Sequence, residues 1–179
     1  MTHLQAILAA TLLFAAGNEA ESISAPPLTD FVIGYQAAIA EQSIREEVPI
    51  GETVEQWDRM VTTQWFKGLS RFTTPEAFLD GMLAGVGKRC PGATNDLIKS
   101  LTVSKRHAVQ SKVECPFLPE TSKPETFLIL VIAGPEDVHV KQVAFRGGYK
   151  TADEQWARAY LANVRFCGGA DKDQTCQVK

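Results

Sequence analysis

The four cysteines, Cys90, Cys115, Cys167 and Cys176, are the side chains of this 179-residue sequence most open to covalent chemistry. An even count behind an export leader reads as two disulfides, and three connectivities are open. Cys90 with Cys115 and Cys167 with Cys176 is the favoured pairing, because each bridge then ties neighbouring elements. Loop-closure entropy sets ceilings of about 3.5 and about 2.7 kcal/mol for these two bridges. No CxxC pair occurs, which argues against a zinc site and against a redox dithiol.

After the first few residues the histidines are His107 and His139. His107 belongs to a basic turn, Lys105-Arg106-His107, that reads as a solvated loop tip; the functional alternative is a contact to a small anion. Ser104 stands close to it in sequence, a Ser–His pairing that any chain of this length offers by chance. His139 sits mid-strand beside Lys141 and is expected to face solvent. Glu46, Glu47, Glu52 and Glu55 form an acidic cluster without the spaced oxygen ligands of a calcium loop, so a solvated face is expected. The chain has no GxSxG elbow, no HExxH and no GxxxxGK[ST] loop. No catalytic set, cofactor or metal is therefore expected. Trp57, Trp65, Glu52 and His107 are the residues offered for a binding surface. The two tryptophans read first as core anchors and second as an aromatic platform beside a groove.

The elements that must position these residues follow from periodicity. Phe31, Ile33 and Tyr35 alternate along a first strand, and Ile44, Glu46 and Val48 along a second. Pro49 and Gly51 mark a turn into a strand of β-formers running from Trp57 to Phe66. Neither face of that strand is cleanly apolar, which predicts helix or loop cover on both sides. Thr73-Thr74-Pro75-Glu76 starts a helix with Phe78, Leu79, Met82, Leu83 and Val86 on one face, and Pro91-Gly92 ends it. Two strands turn near Lys105–His107, and Pro116–Pro124 reads as a polar loop. Phe127–Ala133, FLILVIA, is a central strand buried on both faces, and Gly134–Asp137 turns it into a returning strand, Val138–Phe145. Thr151 with Glu154 caps a last helix that presents Trp156, Tyr160 and Val164.

Leu4–Ala16 is an apolar run too short to span a bilayer but suited to a signal peptide, with cleavage after Gly17 or after Ala20. The expected organisation is a leader over residues 1–20 and one α+β domain over residues 21–179. A net charge of −3 gives no electrostatic grip on nucleic acid or anionic lipid. No later segment is long and apolar enough to cross a membrane, so a secreted or periplasmic location is expected.

The stretch Val48–Gln64 resembles a motif of small secreted bacterial proteins of unknown function: P-x-G-E, then W-x-x-M, then T-x-Q. The matching residues are Pro49, Gly51, Glu52, Trp57, Met60, Thr62 and Gln64. The order of elements is similar to the Mog/PsbP-like arrangement. That resemblance implies an α+β fold in which a mostly antiparallel sheet is packed by two main helices as an α/β/α sandwich. It carries over no catalytic residue. The expected function is a non-enzymatic binding module for a protein or envelope component. Alternatives are a small hydrolase, or an inhibitor or immunity-type protein that uses the loop Pro116–Pro124.

Overall fold

The computed structural model describes residues 20–168 and Cys176. The expected leader therefore lies outside the described residues, except for Ala20. The elements in chain order are β1 (Ser22–Ser24), β2 (Phe31–Ala38), β3 (Gln42–Pro49), β4 (Arg59–Phe66), a 3-10 turn (Leu69–Arg71) and α1 (Pro75–Arg89). They continue with β5 (Thr94–Asn95), β6 (Lys99–Val103), β7 (Arg106–Leu118), β8 (Lys123–Ala133), β9 (Val138–Arg146), α2 (Thr151–Ala162) and β10 (Arg165–Cys167). This is an α+β protein dominated by an antiparallel sheet.

The main sheet runs β2-β3-β4-β9-β8-β7-β5, and β6 also pairs with β7. β8 lies inside it, between β7 and β9. All residues from Phe127 to Ile132 are buried, which explains why this strand shows no alternation of polarity. Its two faces serve two cores. Leu128, Leu130 and Ile132 pack with Ala157, Tyr160 and Leu161 of α2. Phe127, Ile129 and Val131 pack with Leu79 of α1.

Local chemistry sets the helix ends. Thr74 is the N-cap of α1; its hydroxyl accepts from Ala77 N at 3.2 Å, and Pro75 opens the first turn. For α2 the cap falls one residue earlier than Thr151–Glu154. Lys150 N donates to Asp153 Oδ2 at 3.0 Å, while Glu154 instead accepts from Arg158 Nε at 2.8 Å. Arg59 braces the helix by pairing with Asp153 at 3.2 Å and lying 4.3 Å over the Trp156 ring.

Ser104 and Lys105 both adopt positive φ and turn β6 directly into β7. His107 is thus a strand residue rather than a loop tip. Pro116–Pro124 is likewise mostly strand, since β7 reaches Leu118 and β8 starts at Lys123. Extended pairing to Glu125 and a shifted contact at Leu118–Lys123 absorb the prolines at that end of the sheet.

Both disulfides follow the favoured pairing, Cys90–Cys115 and Cys167–Cys176. The first ties the end of α1 to β7. Replacing Cys90 and Cys115 together by Ser is expected to lower the unfolding free energy by about 2–4 kcal/mol in urea titration. A loss below about 1 kcal/mol would show that the bridge constrains little.

Two short strands lie outside the main sheet. β1 pairs with β10 in antiparallel register, Ser22 opposite Cys167 and Ser24 opposite Arg165. Gly168 follows at φ +104°, and a Cβ there would stand 2.6 Å from Ala20 O, so the close approach requires glycine.

Candidate functional site

The pairing register places one polar row across four strands. Gln36 of β2 stands opposite Arg45 of β3, Arg45 opposite Thr63 of β4, and Thr63 opposite Lys141 of β9. The row ends at Leu130 of β8, in the core under α2. Because paired residues share a face, all four polar side chains leave the sheet on the α2 side. Glu47, two residues beyond Arg45, joins them.

This half of the face is covered by the segment Ser22–Leu28, together with Tyr160 and Cys167. Between cover and sheet lies a cavity of about 430 Å³. Its wall is apolar at Ile23, Leu28 and Ile44 and polar at Arg45, Glu47, Thr63 and Lys141.

Lys141 is the most unusual group in the cavity, since only 5% of it is exposed. Its Nζ donates to Thr63 Oγ1 at 2.7 Å, lies 3.9 Å from Glu47 Oε2 and sits 5.6 Å from the Tyr160 ring. Burial pulls its pKa down from the ordinary lysine value to about 8; Glu47 partly offsets this, and Arg45 adds to it. The ammonium therefore remains protonated near neutral pH. Glu47 also accepts from Arg45 Nη2. Two cations against one carboxylate leave a net positive charge, and an ammonium has three donors, of which one goes to Thr63. Burial also pushes the Tyr160 hydroxyl well above the usual tyrosine range, so it stays neutral. The arrangement can receive a small anion against Lys141 and Arg45, with apolar contact from the opposite wall.

The residues that the sequence offers for binding are not gathered here. Trp57 is buried in the core with Leu79, and the Arg146 guanidinium lies 3.9 Å over its ring. Glu52 lines the same surface hollow as Trp57, and its Oε2 accepts from Asp58 N at 2.9 Å, bracing the turn after Gly51. Trp65 donates from Nε1 to Asp137 Oδ2 at 2.6 Å. His107 Nε2 faces Ser100 Oγ at 3.1 Å and Glu76 Oε1 at 2.9 Å. Ser104 does not partner His107; its Oγ accepts from Phe166 N at 3.1 Å. Nor are the acidic residues one solvated cluster: Glu47 is buried, and burial raises the Glu46 pKa.

His139 corrects the expectation of a solvent-facing strand. It is 2% exposed, and the Phe166 ring meets it edge-on at 5.6 Å. The alternation that exposes polar residues on an open sheet here points His139 and Lys141 into a face covered by β10 and the N-terminal segment. That cover was legible only as the general expectation that the central strand is sheltered on both sides.

No protein family matches the chain, and no curated protein matches it in sequence.

Proposed function

We propose that this chain is an exported, non-enzymatic binding module whose cavity takes a small carboxylate-bearing ligand. The observation that carries the reading is the register-matched row Gln36–Arg45–Thr63–Lys141, which aims two cations into a cavity of about 430 Å³. A carboxylate fits the two cations because charge-assisted hydrogen bonds from Lys and Arg to it are roughly twice as strong as neutral ones. The two disulfides support a secreted or periplasmic location. The division of the interior into a core under α2 and a core under α1 supports a layered α/β/α arrangement of the Mog/PsbP-like kind.

The test is a panel of small carboxylic acids screened by thermal shift and then calorimetry, against the native chain and Lys141→Met. At least one acid is expected to bind the native chain, and Lys141→Met is expected to weaken it at least about tenfold, the worth of one charge-assisted hydrogen bond. The variant itself should keep its stability to within about 1 kcal/mol. It loses a costly buried charge, and Glu47 retains Arg45. Failure of every acid to bind, or equal binding by the variant, would overturn the reading.

A further inference from the structure

We infer that Glu21, Asp137 and His139 form a site for a divalent transition-metal ion of the zinc class. The three residues come from the N-terminal segment, the β8–β9 turn and the start of β9. Their donor atoms all lie within 4.8 Å of one another, and His139 Nε2 stands 3.7 Å from Glu21 Oε2. His139 Nε2 is buried and has no hydrogen-bond partner. An imidazole nitrogen shut away from water and left unpartnered is costly as a structural feature and well suited as a ligand.

Both carboxylates are oriented by donors from the surrounding backbone and side chains. Glu21 Oε1 accepts from Glu136 N at 2.9 Å, and its Oε2 accepts from Asp137 N at 3.0 Å. Asp137 Oδ1 accepts from Gly68 N at 2.7 Å, and its Oδ2 accepts from Trp65 Nε1 at 2.6 Å. These bonds leave further lone pairs on each carboxylate, and they are the outer partners that hold metal-ligating groups in place. Gly134 makes room for the approach, because a Cβ there would collide with the Glu21 carboxyl group and stand 2.9 Å from the Phe166 ring.

Charge argues in the same direction. Among the described residues no Lys or Arg pairs with Glu21 or Asp137, whose carboxylates lie close together in a largely buried place. A divalent ion would cancel two carboxylates, and a neutral imidazole would complete a mixed nitrogen and oxygen set. Three protein ligands leave a fourth position open, as in zinc sites that keep a water. Zn–ligand bonds of about 2.0–2.1 Å place neighbouring donors roughly 3.4 Å apart, so a pair as wide as 4.8 Å must draw in by about 1.4 Å on binding. No CxxC or HExxH announces this site, and the sequence offers no metal centre.

The test uses the chain stripped with chelator and then titrated with zinc by calorimetry, with cobalt as a spectroscopic substitute. One equivalent of zinc is expected to bind and to raise the melting temperature. His139→Gln and Glu21→Gln should each weaken binding at least about tenfold. His107→Ala, outside the site, should leave it unchanged. Nitrogen NMR of the native chain gives a readout that does not depend on variant folding: zinc should move the ring resonances of His139 and not those of His107. Absence of zinc binding, uptake that survives both Gln substitutions in folded protein, or an unmoved His139 resonance would overturn the site.

Discussion

Leu128→Ala is expected to lower the unfolding free energy by about 3–5 kcal/mol. Leu128 is fully buried in β8, paired with Val143 of β9 and Lys112 of β7, and packed in the core that includes Leu161. Deleting its isobutyl group removes transfer energy and leaves a void that neighbouring strands, fixed by hydrogen bonds on both sides, cannot close. Leu97 supplies the contrast. It is 88% exposed, and Leu97→Ala should change stability by no more than about 0.5 kcal/mol. Urea titration of both variants measures the pair. Equal effects would mean that the two-sided burial of β8 does not govern stability.

Asp137→Ala is expected to cost about 2–4 kcal/mol through a different mechanism. Its carboxylate receives the Trp65 indole N–H and the Gly68 backbone N–H, joining the β8–β9 turn to the end of β4. Truncation strands both donors in a partly buried place, at about 1–3 kcal/mol each. Asp137→Asn keeps one acceptor oxygen and should lose about half as much. The Trp65 near-UV signal reports the local change, and urea titration the global one. If Asp137→Ala matched the native chain in both, water would be replacing the carboxylate and the clamp would have no structural weight.

The parts of this fold that were legible in the sequence are those with local causes. FLILVIA announced a two-sided strand because no polar residue interrupts it from Phe127 to Ala133. Thr74-Pro75 announced a helix start because the cap and the Pro act within one turn. The favoured cysteine pairing followed from bridges between neighbouring elements. β1 and β10 escaped notice because three residues cannot display a period. The cavity escaped for a related reason. Gln36, Arg45, Thr63 and Lys141 are scattered along the chain, and strand register alone brings them into one row. His139 departs from the solvent-facing expectation because alternation reports which residues share a face and says nothing of what covers it.

The pairing of β1 with β10 also bears on the order in which this molecule acquires its shape. Partners that distant in sequence meet only after the intervening chain has condensed, since the entropy of closing so large a loop is unfavourable until other contacts shorten it. The main sheet can assemble from two runs of consecutive strands, β2-β3-β4 and β7-β8-β9, joined at the β4–β9 pair, whereas the wall over Lys141 waits for the more distant β1 and β10. Loss of the β1–β10 pairing alone would therefore leave the sheet intact and its polar pocket open to solvent.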